Sequence, residues 1–357
     1  MVLGAGYGGL MAALRLAPHF EVTLLDPSDR FTERVRLHEL AAGRADVTHP
    51  LAGLLRGTGV RHLAVRATAL DPAARLVTTD DGRSLPYDRL VYALGSRTAE
   101  TAGERAYTAE SADALRKRLL DGPGSLAVVG GGLTGIEMAT ELAEAYAQWN
   151  VRLLTSGPVA AGHSPRGRSH IRGVLTDRGV RVEEGTRIAD ADAVDADVVV
   201  WAASMVPNTA LASEAGLSLD PAGSGRIEVD ATLRSVSHPD IYAVGDAAAS
   251  HAPDAGRLRM SCATAIPTGA HAATSITSES HGRTPEPLRF GYLLQCVSLG
   301  RHDGLIQFVR PDDSPRNHIL TGRPAARTKE QVVRSTVRLL RLTARHPWAV
   351  RLIPGVG

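Results

Sequence analysis

Cysteine is almost missing from this chain. Only Cys262 and Cys296 occur in 357 residues, far apart and in no C-x-x-C spacing, which excludes a disulfide framework and argues against a metal site. Lysine is equally scarce: Lys117 and Lys329 stand alone among 40 basic residues, a bias that reads as the codon usage of a GC-rich genome. The formal charge of +2 offers no field for a nucleic acid, so none is expected as a partner. No apolar run reaches the length needed to cross a bilayer, and the apolar N-terminus lacks the basic region of a signal peptide. A reduced, cytoplasmic protein is the expectation. With 43% hydrophobic residues the chain can build sizeable cores, and its length suits two or three domains.

What is present is alternation. Short β-branched or leucine-rich runs alternate with alanine-rich helical stretches, the pattern of a doubly wound α/β protein. One block runs from Val2 to about Gly103. A second starts at Ser125 and fades near Leu233, with Asp121-Gly-Pro-Gly124 as a boundary loop. A strand and a helix follow between His238 and Glu279. The tail from Pro285 predicts two strands, Leu293–Leu299 and Leu305–Val309, then a polar loop and a helix over Thr328–Ala344.

Two glycine motifs carry the chemistry. Gly4-Ala-Gly6-Tyr-Gly8-Gly9 stands directly after Met1-Val-Leu3 and directly before the helical Leu10–Ala17. The first glycine of such a motif makes the strand-to-helix turn, and the second lets a pyrophosphate approach bare backbone. The third lets the helix pack close to the strand, its N-terminus facing the negative charge. The next apolar strand, Glu21–Leu25, ends in Asp26, about 20 residues on, where an acid can hold both ribose hydroxyls. The first strand is short, and a chain start several residues upstream would lengthen it. The second motif, Gly130-Gly-Gly132-Leu-Thr-Gly135, follows the strand Ser125–Val129 and opens a helix over Thr134–Trp149. Its partner strand, Val151–Leu154, ends in Thr155-Ser156 with no carboxylate. An acid there favours NADH and repels the extra phosphate of NADPH; its absence, with Arg166 and Arg168 shortly after, points to NADPH over NADH.

With these motifs and two more, the chain resembles the flavin- and pyridine-nucleotide-dependent oxidoreductases. Tyr92-Ala93-Leu-Gly95-Ser96 stands where that family has an A-T-G-like turn, and Ile241-Tyr-Ala-Val-Gly245-Asp246-Ala where it has an apolar run and G-D. The resemblance spans Val2 to about Glu279. It implies an α/β fold with two Rossmann-like dinucleotide-binding domains. The FAD domain would be discontinuous, 1–105 and 236–285; an NAD(P) domain, 106–235, would be inserted in it; a small α+β region, 286–357, would follow. FAD would lie in the first fold with Asp246 on its ribityl chain, and NADPH or NADH in the second with Glu137 at the nicotinamide end. Arg36, Ala67 and Ala93 join the cofactor-binding set by position.

Within that superfamily the chain looks most like type II NADH dehydrogenases and apoptosis-inducing-factor-like proteins. Arg36-Leu-His38-Glu39-Leu-Ala-Ala-Gly43 occupies the place where disulfide reductases carry their cysteines. His38 and Glu39 thereby become candidates to orient or protonate a polar substrate beside the flavin; a structural charge cluster with Arg34 and Arg36 is the alternative. Ser204 replaces a usual glycine beside the cofactor. The quinone-associated motif A-Q-x-A-x-Q-Q-G aligns with Cys262-Ala-Thr-Ala-Ile-Pro267-Thr268-Gly269. Every glutamine is gone, which leaves Pro267 and Thr268 on the acceptor side and weighs against quinone reduction.

The expected activity is hydride transfer from NAD(P)H to FAD, then electron delivery to a small-molecule or quinone-like acceptor. Two rivals are a flavoenzyme of specialised metabolism that oxidises an organic substrate directly, and a non-enzymatic flavoprotein with structural FAD. The C-terminal helix places Arg334, Arg338, Arg341 and Arg345 at helical spacing beside an apolar Val333, Val337 and Leu340. Such a helix lies on the inner face of a membrane, or docks on its own protein or a dimer mate. Pro347 would stop it and Trp348 is its lone aromatic anchor.

Overall fold

The computed structural model describes residues 1–44, 46–99 and 106–346. A parallel sheet of five strands opens the chain, in the order Ile241–Ala243, Leu90–Tyr92, Val2–Leu3, Thr23–Leu25, Arg61–Leu63. The helix Tyr7–Leu16 leaves the first glycine turn and is buried along its whole length except at Arg15. It is covered by this sheet on one side and by the long helix Cys262–Ser280 on the other, which is why alanine and leucine fill nearly every position. The second sheet is also parallel, ordered Ala106–Tyr107, Val198–Trp201, Ser125–Val129, Asn150–Thr155, Arg181–Glu184. Its helix, Leu133–Ala145, stops four residues short of the expected Trp149. The aromatics that follow are pulled sideways: the Tyr146 hydroxyl donates to the Ala41 carbonyl and the Trp149 indole N–H to that of Leu119.

The chain crosses from the first unit to the second beside Ser96–Thr98 and returns through Met205–Pro207, and these two strands pair antiparallel. Asn208 fastens the return, its backbone N–H donating to Gly95 and its side-chain amide to Leu94. From there Ala212, Leu217 and Ile227 are buried in the same cluster as Leu3, Leu25 and Leu90. Residues 208–235 thus pack with the first unit, ahead of the boundary at 235 that the sequence suggested. Isolated bridges such as Leu219–Ile227 hold this stretch, and bridges leave no strand periodicity to read.

The C-terminal region is an antiparallel meander, Leu294–Ser298, Gly304–Val309 and Pro315–Thr321, followed by the helix Gly322–Arg345. The expected polar loop is therefore a third strand. It lies at the sheet edge with no residue fully buried, held by the backbone ladder and by the Gln307 amide donating to Arg316 and His318 carbonyls. An edge strand without an apolar face carries no alternation. The helix starts six residues earlier than Thr328 because Pro324 is accommodated in the first turn, where its missing N–H costs nothing. Val337 and Leu340 join the core around Leu10 and Leu14, and Arg341 reaches His49. The apolar face of this helix is covered by its own protein. Pro347 and Trp348 lie outside the described residues, and among those described no helix is long and apolar enough to cross a membrane.

Candidate functional site: two nucleotide turns and a buried charge cluster

The two glycine turns are near copies of each other. A Cβ on Gly9 would lie 1.9 Å from the Gly4 carbonyl oxygen, and one on Gly135 1.8 Å from that of Gly130. Either side chain would force the helix off its strand. Gly6 and Gly132 instead face space with no atom within 4 Å of an added Cβ, so a phosphate can reach the helix N-termini. Asp26 is anchored beside the first turn, accepting from the backbone N–H of Ala5 at 2.7 Å and of Ser28 at 2.9 Å. Ala93 continues the turn by donating to the Leu3 carbonyl, Gly95 follows with φ 65°, and Ala67 packs half-buried against the same core.

Asp246 tests whether FAD fits. The Ser96 hydroxyl donates to its Oδ2 at 2.7 Å, while Oδ1 is buried with no hydrogen-bond partner. A buried carboxylate oxygen without a donor costs on the order of 1–3 kcal/mol or more, and a sugar-alcohol hydroxyl would satisfy it. The residues fit the cofactor. Next to it, the Gly245 N–H donates to Thr268 Oγ1 at 3.0 Å, and that hydroxyl donates onward to the Thr264 carbonyl at 2.8 Å. Thr268 is only 1% exposed, so its polar group is spent on holding the turn. Pro267 lies buried inside a helix that begins five residues earlier, at Cys262.

Behind the turns lies a cluster of charge. Arg36 meets Glu33 at 3.4 Å, Glu39 at 3.0 Å and Glu330 at 2.7 Å. Arg301 meets Glu39 at 3.0 Å and Glu141 at 3.3 Å, and Arg44 meets Glu141 at 3.0 Å. Glu137 pairs with Lys329 and accepts from the Ser298 N–H at 2.9 Å. Arg36 and Glu39 are thus ion-paired within this cluster, while Arg34 turns outward to Glu110. His38 stands 3.8 Å from Glu137 and 4.0 Å from Glu39 without a hydrogen bond at Nε2. Burial first, then Lys329, Arg301 and Arg36, hold it well below its ordinary value, so the imidazole is neutral at physiological pH.

Lys329, Glu330, Arg301 and Glu141 were not singled out from sequence. The one available signal was rarity: a chain that writes its cations as arginine keeps a lysine here, where a deprotonable amine lies buried. Burial pushes the Lys329 ammonium from 10.5 down to about 7, against the pull of Glu39 and Glu330. Between those pH values the unfolded chain holds more of this proton than the fold does, so stability climbs with pH, by at most about 1.4 kcal/mol per unit. Lys329→Met is expected to flatten that climb. Melting temperatures of both proteins between pH 7 and 9 check it; parallel curves would count against a depressed lysine.

In the second turn the Thr155 hydroxyl donates to the Gly157 carbonyl at 3.1 Å and Ser156 is exposed. Glu184 lies across the sheet from Thr155, but its carboxylate is taken by Arg172 and by the Val159 N–H. Arg166 and Arg168 sit in the first turn of the helix Pro165–Asp177. Ser204 adopts φ 58°, the left-handed region, which is the reason a glycine suits the position. Both cysteines are free, and burial raises Cys262 to about 11 and Cys296 to about 12, so both stay thiols at neutral pH.

Two dinucleotide folds bridged by a paired crossover, with an acid whose buried oxygen is short of a donor at the first, define a flavin-dependent pyridine-nucleotide oxidoreductase. The chain belongs to the pyridine nucleotide-disulphide oxidoreductase family, whose model matches residues 1–275. It is thus an enzyme that uses FAD and NAD(P)H, here without a disulfide. It is 29% identical to an NADH dehydrogenase-like protein of Mycobacterium tuberculosis, over 93% of this chain and 92% of the relative. It is 26% identical to a type II NADH:quinone oxidoreductase of Staphylococcus saprophyticus, over 85% and 88%. Its fold matches the sulfide:quinone oxidoreductase of Aquifex aeolicus with a TM-score of 0.78 at 20% identity, over 96% of this chain and 91% of that one.

Proposed function

We propose that the protein oxidises NADPH in preference to NADH at FAD and passes the electrons to a second acceptor other than a lipophilic quinone. The observation that carries the reading is the unpartnered, buried Oδ1 of Asp246 beside two open glycine turns. FAD, when bound, supplies the hydride and electron chemistry. Gly4, Gly6, Gly8 and Gly9 with Asp26 would hold its adenosine half, and Asp246 with Ser96 its ribityl hydroxyls. Gly130, Gly132 and Gly135 would take the nicotinamide nucleotide, and Glu137, fixed by Ser298 and Lys329, would stand toward its nicotinamide end. The quinone in the name of the staphylococcal relative supports an acceptor of related redox chemistry. The spent hydroxyl of Thr268 and the missing N–H of Pro267 point away from that site being used for it.

The NADPH preference rests on Thr155 and Ser156 where an acid would repel the 2′-phosphate, on Glu184 being neutralised by Arg172, and on Arg166 and Arg168 nearby. Anaerobic titration of the yellow protein with each nucleotide tests it. Flavin bleaching several-fold faster with NADPH is expected, with Thr155→Glu moving the preference to NADH. NADH at least as fast, unaffected by that substitution, would remove the basis. Absence of bleaching with either would favour direct oxidation of an organic substrate or structural FAD.

A further inference from the structure

A cleft of about 580 Å³ opens between the Ser298–His302 turn and one face of the C-terminal helix. It lies in the size range of small-molecule sites. Four arginines line it, Arg301, Arg323, Arg327 and Arg334, together with Lys329 and His302, against two carboxylates, Glu39 and Glu330; only Ala326 and Val333 bring apolar side chains. The two acids are already saturated. Glu39 is held by Arg36 and Arg301, and Glu330 by Arg36 and Arg334. Lys329 is paired with Glu137 below. Arg323 and Arg327, one helical turn apart, make no ion pair or side-chain hydrogen bond among the described residues.

A solvated basic helix face would explain two unpaired arginines on a convex surface. Here they border a concavity whose floor, Glu39 and Lys329, is continuous with the cluster around Glu137. Two guanidinium groups at that spacing suit a carboxylate or phosphate, which each can grip with two N–H groups. An isoprenoid chain would find little to bury against. A concave site of this volume also fits a small molecule better than the flat face of an acidic protein.

We infer that this cleft binds the enzyme's second substrate, and that this substrate is a conjugated organic anion carrying carboxylate, sulfonate or phosphate groups. The inference rests on the NAD(P)H oxidoreductase reading. In the overall reaction the nicotinamide gives up two electrons and one proton, solvent gives the second proton, and the anion leaves as its dihydro form.

The test uses the flavin-loaded protein at constant ionic strength. Citrate serves as a redox-silent probe by calorimetry, and anthraquinone-2,6-disulfonate as an anionic acceptor. Citrate should bind wild type below millimolar and at least tenfold more weakly in the Arg323→Gln/Arg327→Gln double variant. Arg323→Lys/Arg327→Lys should recover part of that loss. In wild type, citrate should raise the KM for the disulfonate without lowering kcat. No citrate binding, or binding untouched by the Gln substitutions, overturns the site. Binding without competition overturns its assignment to the second substrate. If the double variant melts early, Arg327→Gln alone is read in its place. Bleaching of the wild-type flavin by NADPH in the same samples shows separately whether the oxidoreductase reading stands.

Discussion

Asp246→Ala should purify nearly colourless. In the native protein one carboxylate oxygen is occupied by Ser96 and the other, buried, has no donor, so a flavin hydroxyl bonding there meets an acceptor already desolvated. A hydrogen bond to such a charged group is worth about 1.5–3 kcal/mol, and its loss should weaken FAD binding by roughly 10- to 150-fold. A second effect has the opposite sign. Without cofactor, the wild type bears the cost of the orphaned oxygen and the alanine variant does not, so flavin-free Asp246→Ala should melt at or above flavin-free wild type. Released flavin measured after denaturation, together with melting temperatures with and without added FAD, reads both. A variant that retains FAD as tightly as wild type would remove Asp246 from the site. A wild type that releases no flavin and gains no stability from added FAD would contradict the family assignment itself.

Ubiquinone and menaquinone analogues should be poor acceptors compared with oxygen. At the place where the quinone-associated motif carries its glutamines, this chain has Ala263, Pro267 and Thr268. Thr268 has the only side-chain donor of the three, and it is committed to the Thr264 carbonyl inside the helix. Pro267 has no N–H, and both residues are buried. Two lost donor interactions of about 1 kcal/mol each predict turnover slower by tens-fold. Stacking of a quinone on the flavin needs no such donors, so some turnover should persist. Steady-state assays with soluble quinones under anaerobic conditions decide it. Efficient turnover with a micromolar KM would restore quinone as the acceptor, and would also weigh against an anionic second substrate.

The two glycine turns were legible in the linear sequence because everything they need is local. Strand, three glycines, helix and terminal acid fall within about 30 residues, and backbone sterics leave few other uses for that spacing. Gly9 and Gly135 were therefore readable as close-packing positions before any contact was known. The terminal acid was readable at Asp26 and its absence at Thr155. The electrostatics behind the turns were not legible, for the opposite reason. Glu137 and Lys329 are 192 residues apart, and Ser96 and Asp246 are 150 apart; the first pair meets only because the C-terminal helix packs against the second unit, and the second because the later FAD segment folds back on the first. The scarcity of lysine was visible from the start, but its meaning depended on burial. His38 shows the same limit: its residue type suggested a proton donor, and only burial and three nearby cations made it a neutral ring. The strand Pro315–Thr321 had no apolar alternation to reveal it, since an edge strand is held by backbone hydrogen bonds that need no particular side chains, and its one proline stands at the first position. Sequence alone determined where the two strand–glycine–helix turns lie, through short-range backbone geometry. Tertiary structure decided which charges are buried, paired or left free, because burial and ion pairing depend on segments brought together from opposite ends of the chain.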